Sequence, residues 1–389
     1  MSAAAPSGPR KLRLMVVDDS AYNRRNIAEI FASHPDVDVV GRAGDGEEAL
    51  RLVTSLKPDV ITLDLEMPRM DGFTFLRILM TRQPTPVIVV SSYSQKENVF
   101  KALELGALDF VAKPDRQISP DSTEVRQQIM DKVLLVRSLK PAIIEGLARP
   151  ATRARLPTPV PMNPFAEGAP SQPLPSSDLS RTGGRPVYSP QPSTTSAIGL
   201  PPKWLVAIAC STGGPSALLE VVGRLPANSV AAFAIAQHMP DKFTRTFAER
   251  LGRRGTIRVT EAQDGDVLLQ STGFVCPGRQ CMEAIASGAE WKLRVSSAAP
   301  TDRYVPSADR LFKSCASIAG SRLIAVILTG MGDDGTEGAR AVRDCGGLVI
   351  AESQETAVVF GMPGSAVRNG LANEVLPLQG IAERLAKLS

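Results

Sequence analysis

Histidine is almost missing from this 389-residue chain, which has only His34 and His238. Cysteine is scarce too: Cys210, Cys276, Cys281, Cys315 and Cys345 all lie in the C-terminal half and form no CxxC pair. A sparse, odd set of this kind excludes a disulfide framework and fits a reducing compartment. Neither sign of charge is in excess. A net charge of +4 is far from the concentrated basic footprint that nucleic-acid binding requires. No run of 18 apolar residues is present to cross a bilayer, and the opening MSAAAPSGPRK lacks the apolar core of a secretory signal. The expectation is a cytoplasmic protein without membrane insertion or a nucleic-acid partner.

What is present suits a soluble globular protein, with 43% hydrophobic and 22% charged residues in a chain long enough for two cores. Residues 12–140 alternate short apolar runs (Leu12–Val17, Val37–Val40, Val60–Leu63, Val87–Val90, Leu108–Val111) with helix-like segments. That is the rhythm of a doubly wound parallel sheet. Val125, Ile129, Val133 and Val136 recur at helical spacing in its last helix. Residues 141–202 are different: proline, serine, threonine and glycine dominate, and Phe165 and Tyr188 are the only aromatics. Such a segment cannot build a core and reads as a disordered linker, its sixty or so residues reaching on the order of 40 Å. The βα rhythm resumes in 203–389, with strands expected at Leu205–Ala209, Val230–Ala236 and Leu323–Leu328 and more mixed elements between 256 and 310.

In open α/β sheets, function collects at the carboxyl ends of strands. In the first domain those ends carry Asp18 and Asp19, Asp64, Ser91, and Lys113 just before Pro114. Converging carboxylates repel one another unless a hard cation such as Mg²⁺ sits among them, and such a cation also holds phosphate oxygens. An aspartate there can accept a phosphoryl group, with lysine and serine as its partners. Any one of these residues is an ordinary strand-end polar group; five at four strand ends of one sheet are not. The set resembles the receiver domain of two-component response regulators across residues 11–138. The resemblance implies Asp64 as phosphoacceptor, Asp18, Asp19 and the Glu66 carbonyl as Mg²⁺ ligands beside it, and Ser91, Phe110 and Lys113 as switch residues.

In the second domain, LVAIACSTGGPS is a strand, a sharp corner and a helix start. At that corner Ser211 is either a nucleophile near helix N-terminal amides or a cap or phosphate-binding turn. His34, in SHPD, reads as a solvated turn residue. His238, in AIAQHMPDKF, again follows a strand, and LTGMGDDGTEG brings Asp333 and Asp334 to a third corner, where a carboxylate can orient an imidazole. Nucleophile, base and orienter follow in the order Ser, His, Asp. That order and the lack of GxSxG exclude the familiar serine-hydrolase folds as guides. Cys210, one strand position before Ser211, points to the other face and reads as a packed thiol.

Together, the receiver, the linker, ACSTGGP, QHMP and TGMGDDG resemble the chemotaxis response-regulator methylesterases (protein-glutamate methylesterase/protein-glutamine glutaminase). The fold so implied is α/β, a flavodoxin-like receiver at 11–140 followed by a parallel-rich methylesterase domain at 203–389. By this resemblance Ser211 is the nucleophile, His238 the base and Asp334 its orienter, with the Thr212 and Met331 amides as oxyanion donors. It further implies a phosphorylation-activated hydrolase acting on glutamyl methyl esters and glutamines of chemoreceptor cytoplasmic helices. A histidine kinase would be the phosphodonor, and no cofactor is expected in the catalytic domain. Family members usually carry histidines near the places taken here by Cys281 and Tyr304. Two other readings stay open: the same chemistry on a methylated protein outside chemotaxis, or a regulator with a non-catalytic binding output domain. The run Arg250, Arg253, Arg254 and Arg258 reads as a solvated basic face.

Overall fold

The computed structural model describes residues 10–92, 96–113, 118, 122–147 and 199–388. In the N-terminal part, β1 (Leu12–Val17), β2 (Val37–Ala43), β3 (Val60–Leu63), β4 (Val87–Ser92) and β5 (Asp109–Lys113) form one sheet in the order β2-β1-β3-β4-β5. Every pairing in it is parallel. Helices α1 (Ala21–Phe31), α2 (Gly46–Leu56), α3 (Gly72–Arg82), α4 (Lys96–Glu104) and α5 (Thr123–Leu135) make the crossovers. Side-chain caps fix their starts: Ser20, Asp45 and Asp71 each accept a first-turn amide. Strands β3 and β4 are buried along their whole length, as a sheet covered on both faces requires. The apolar set Val125, Ile129, Val133 and Val136 is buried as its spacing predicts.

The expected strand at Leu108–Val111 lies one residue later and runs to Lys113, which is therefore its last residue. Pro114 and residues 148–198 of the expected linker lie outside the described residues. The segment's first residues are helical, as α6 (Pro141–Leu147).

The C-terminal part builds a seven-stranded sheet from β6 (Trp204–Cys210), β7 (Ala231–Gln237), β8 (Arg258–Glu261), β9 (Thr272–Val275), β12 (Leu323–Ile327), β13 (Leu348–Glu352) and β14 (Glu374–Leu376). Its order is β14-β13-β12-β6-β7-β9-β8. A separate antiparallel hairpin, β10 (Gln280–Ser287) with β11 (Glu290–Ser297), accounts for the mixed pattern between 256 and 310. The helices are α7 (Gly214–Val222), α8 (Asp241–Arg254), α9 (Ala308–Ala319), α10 (Thr336–Asp344), α11 (Met362–Arg368) and α12 (Leu378–Ala386).

Alternation along β6 splits it between two cores. Val206, Ile208 and Cys210 join one, while Leu205, Ala207 and Ala209 join the other. The second face is lined with small residues from three strands, Ala207, Ala209, Ala232, Ala234, Ala236 and Ala325, and α9 packs against it. Small side chains let that helix approach closely, and its N-terminus comes to the carboxyl ends of the strands.

Both sheets contain a point where the strand order reverses. In the first it lies between β1 and β3; in the second, between β6 and β12. Crevices at such points are where open α/β sheets bind ligands.

Candidate active site and phosphoacceptor site

At the first reversal point, Asp18, Asp19 and Asp64 come together with one oxygen from each within 4.8 Å of the others. Asp18 is buried, and burial lifts its carboxyl to about 6; the Lys113 ammonium opposes this and the Asp64 carboxylate adds to it. Lys113 Nζ donates to Asp64 Oδ2 at 2.8 Å and to Asp18 Oδ2 at 3.3 Å. Burial alone would depress that ammonium, but the two carboxylates hold it above its ordinary value. Ser91 is fully buried near the end of β4, and Phe110 is buried in β5. Glu66 is exposed. Three clustered carboxylates, one with its charged form disfavoured by burial, supply the oxygen donors that suit a hard divalent cation.

At the second reversal point, register sets the geometry. Cys210 pairs with Gln237 across β6 and β7, so Ser211 and His238 are the next residues on neighbouring strand ends. His238 N donates to Cys210 O at 3.0 Å, and Ser211 N donates to Thr329 O at 3.0 Å. Gly213 has φ +79°, and a Cβ there would meet Val358 and the Thr329 hydroxyl. A side chain is therefore excluded on both conformational and steric grounds, which accounts for the first glycine of STGG.

The imidazole Nε2 of His238 lies 2.8 Å from Asp334 Oδ2. Asp334 is buried, and its carboxylate also accepts Ala308 N (2.8 Å), Asp309 N (3.1 Å) and Gly335 N (3.0 Å). Two of these are first-turn amides of α9. The helix start thus fixes the carboxylate that fixes the histidine. Asp333 points elsewhere, accepting from Tyr304 Oη at 2.8 Å and pairing with Arg303 at 3.1 Å. Among the described residues no hydrogen bond joins Ser211 Oγ to His238. With Nε2 committed to Asp334, Nδ1 is the ring nitrogen left for a proton transfer. The Thr212 and Met331 amides donate to no carbonyl or side chain among the described residues.

Sequence reasoning missed the residues that brace this corner. Gln237, buried, donates to the Ser211 carbonyl at 3.0 Å and the His238 carbonyl at 2.9 Å. Its Oε1 accepts from the Cys210 thiol at 3.0 Å. Burial pushes that thiol well up, so Cys210 is packed and inert, on the face away from Ser211. Thr329 accepts the Ser211 amide on its carbonyl and donates its hydroxyl to Thr212 O at 2.8 Å. The Thr329 amide in turn donates to the buried Glu352 carboxylate at 2.7 Å. Gln237 and Thr329 stand inside the QHMP and LTGMGDDG segments, next to the residues picked out, and no pattern separated them. Tyr304 stacks on His238 with centroids 5.4 Å apart and planes 8° off parallel. Cys281 is buried and donates to Asp302, not to any residue of this corner.

The first domain reaches this corner directly. Asp109, one residue before Phe110, accepts from the Thr212 hydroxyl at 2.6 Å and also pairs with Lys132. Phe110 lies 4.8 Å from Phe243, and Phe100 stacks on Phe247 at 5.5 Å, within one buried cluster. Of the arginine run, Arg253, Arg254 and Arg258 are exposed as expected, Arg253 making a solvated pair with Glu97, whereas Arg250 on α8 is mostly covered and pairs with Glu104 and Glu97 on α4.

Comparison with known proteins decides the family. A family model described as CheB methylesterase matches residues 206–385, and one described as response regulator receiver domain matches residues 14–119. A relative from Myxococcus xanthus, named protein-glutamate methylesterase/protein-glutamine glutaminase 1, is 42% identical over 378 residues, covering 97% of each chain. The chain belongs to this methylesterase/glutaminase family. Relatives bearing the same name from Geobacter sulfurreducens (43% identical over 97% of each chain) and Anaeromyxobacter dehalogenans (41% over 98% of this chain and 96% of the other) agree. The family's two parts are the two described above, a response-regulator receiver and a CheB-type methylesterase domain. No helix among the described residues is long and apolar enough to cross a membrane.

Proposed function

We propose that this chain is a phosphorylation-activated hydrolase that removes methyl esters from glutamates, and amide nitrogen from glutamines, in the cytoplasmic helices of methyl-accepting chemoreceptors. One observation carries the reading. Ser211 stands at the strand-order reversal of the second sheet beside His238, whose Nε2 is held 2.8 Å from the buried Asp334. Ser211 Oγ attacks the γ-carbonyl, and its proton passes to His238 Nδ1. Asp334 keeps the ring in the needed tautomer and stabilises the imidazolium. The oxyanion falls to the Thr212 and Met331 amides, each such donor being worth roughly 10²–10³ in rate. His238 then protonates the departing methanol or ammonia, and water resolves the acyl-serine to glutamate. Hydrogen bonds of this kind are often unmade without substrate, which fits the open Ser211–His238 pair.

Control is read from the other reversal point. Asp64 is the phosphoacceptor, and a histidine kinase is the donor. Asp18, Asp19, Asp64 and the Glu66 carbonyl would hold Mg²⁺, which when bound neutralises the carboxylates and the incoming phosphoryl oxygens. Lys113 pairs with the acceptor, and Ser91 and Phe110 respond to its modification. Phe110 packs on Phe243, and its neighbour Asp109 holds Thr212, so a shift in β5 loosens the contact beside Ser211. Moving from about 1:99 to 99:1 open requires about 5.5 kcal/mol of preference for the open form. The test is methanol release from methylated receptor, with and without a small-molecule phosphodonor. Methanol should appear faster with the donor and not at all with Ser211→Ala; a serine-less enzyme of near-normal rate would sink the mechanism.

A further inference from the structure

We propose that Tyr304 is a positioning residue for the reaction, a flat aromatic wall that holds the His238 imidazole in its working plane and steadies it when it becomes cationic. This rests on His238 being the base, as read above. Among the described residues the His238 ring has one in-plane anchor, the Asp334 carboxylate on Nε2. An anchor at one nitrogen leaves the ring free to tilt, which swings Nδ1 off the Ser211 side. The Tyr304 ring lies 5.4 Å from it and 8° from parallel, covering one face, within the range of offset aromatic stacking.

Tyr304 is itself fixed. Its hydroxyl donates to Asp333 Oδ1 at 2.8 Å, and Asp333 is the chain neighbour of Asp334. The phenol fits because position 332 is glycine: φ is +89°, and a Cβ there would stand 2.5 Å from Tyr304 Oη. Arg303, whose guanidinium lies 5.1 Å from the Tyr304 ring, is neutralised by Asp333 at 3.1 Å and so does not oppose a nearby imidazolium. One strap, Arg303–Tyr304, is thus tied to the Gly-Asp-Asp corner that also holds the histidine from its edge.

The wall acts mostly on the transition state. Once the ring has taken the serine proton it carries positive charge, which the face of an aromatic ring attracts and an aliphatic group does not. An interaction that strengthens on the way to the transition state shows in kcat rather than KM.

The experiment uses the full chain, activated with a small-molecule phosphodonor, and follows methanol release from methylated receptor. Tyr304→Leu and Tyr304→Met, which keep bulk but lose the ring, should lower kcat about 10-fold with KM within about twofold. Tyr304→Phe and Tyr304→His, which keep a flat ring, should stay within about threefold of the parent. Reaction of Ser211 with an organophosphonate, which needs the base but not the receptor, should slow in the same ratio. Leu and Met variants with unchanged kcat would overturn the proposal. So would a Phe variant as slow as Leu, which would place the effect in the hydroxyl, or a loss confined to KM, which would make Tyr304 a substrate contact. The underlying reading fails separately, through Ser211→Ala, whatever these variants do.

Discussion

Reversing the charge of Arg250 should switch the enzyme partly on without phosphorylation. Arg250 Nη2 lies 2.6 Å from Glu104 Oε2, its Nε donates to Glu104 Oε1 at 3.0 Å, and its Nη1 is 3.7 Å from Glu97. The Arg250 side chain is 20% exposed but Glu104 is 45% exposed, so solvent screens the pair. A two-pronged but half-solvated pair of this sort contributes about 1 kcal/mol. Arg250→Glu removes that attraction and adds a repulsion of similar size, about 2 kcal/mol in all, or roughly 30-fold in the closed-to-open ratio. An enzyme about 1% open would become roughly one quarter open, with a basal rate some 20-fold higher. The phosphorylated rate, already that of the open form, should hardly move. Adding Glu104→Arg should restore much of the attraction and return the basal rate toward the parent's. In the parent, raising ionic strength from 0.1 to 1 M shortens the screening length from about 10 to about 3 Å and should mimic the substitution weakly. Methanol release gives all four rates. Should Arg250→Glu leave the basal rate alone, or raise basal and phosphorylated rates by the same factor, the contact between α4 and α8 does not govern access to Ser211.

Three further outcomes follow from the same geometry. Asp334→Asn presents an amide to His238 and favours the wrong tautomer, so kcat should fall roughly 10³–10⁴-fold; the same NH2 leaves the Ala308 amide without its acceptor, so thermal stability should fall as well. Chelation of divalent cations should abolish the rise in esterase rate caused by a small-molecule phosphodonor and leave the basal rate intact; a rise that persists in excess chelator removes Mg²⁺ from the Asp18–Asp19–Asp64 site. The third concerns Glu352, whose carboxyl burial lifts from an ordinary 4.5 to about 7. Its folded form keeps a proton that the unfolded chain has released, so stability falls as pH rises from about 4.5 to 7 and stays low above that. The loss is about 3 kcal/mol. Glu352→Gln should flatten the denaturant midpoint between pH 5 and 8; a slope equal to the parent's would mean that Glu352 ionises freely in the fold.

The five strands of the first sheet and β6, β7 and β12 of the second were legible because parallel strands covered on both faces leave near-continuous apolar runs, and each run ends where the chain must turn; β9 and β13 were not singled out, and β8 and β14, partly exposed, carry no such run. The candidate site residues stood out for the same reason: Asp18, Asp64, Ser211 and His238 all stand within a residue or two of a strand end. What decides their use came from elsewhere in the chain and left no local trace. The α9 amides that hold Asp334 come from residues 25 and 26 positions earlier, and the Thr212–Asp109 bond joins residues 103 apart. The polar stripe of α8 looks the same in sequence whether it faces water or the acidic side of α4, since periodicity reports which face is polar and not what it meets. Composition placed residues 141–147 with the proline-rich segment, although Ile143 is buried in α6.

On the proposed reading, these long-range ties are the route by which Asp64 would govern Ser211. Asp64 is tied to Lys113 at the end of β5, and four residues earlier the same strand presents Asp109 to Thr212. Phe110 between them is packed on Phe243 of α8. A short, fully buried parallel strand is stiff, so its end cannot move without moving these two contacts. Phosphorylation that draws Lys113 and Phe110 toward Asp64 must therefore strain the Thr212 hydrogen bond or the Phe110–Phe243 contact. Thr212 follows Ser211, the proposed nucleophile, and offers the amide proposed for the oxyanion, so on this reading its release alters the site as well as exposing it. Asp109→Asn separates the Thr212 hydrogen bond from the Lys132 ion pair. It keeps an oxygen to accept from Thr212 but gives up the charge that pairs with Lys132. If the lock is geometric, basal activity should stay within about threefold of the parent's. Asp109→Ala leaves the buried Thr212 hydroxyl without its acceptor, a cost of about 1–3 kcal/mol to the closed form, and should raise basal activity about 5- to 100-fold. Equal basal rates for the Asn and Ala variants would break the link from β5 to Ser211 and leave the α4–α8 surface to carry the control alone.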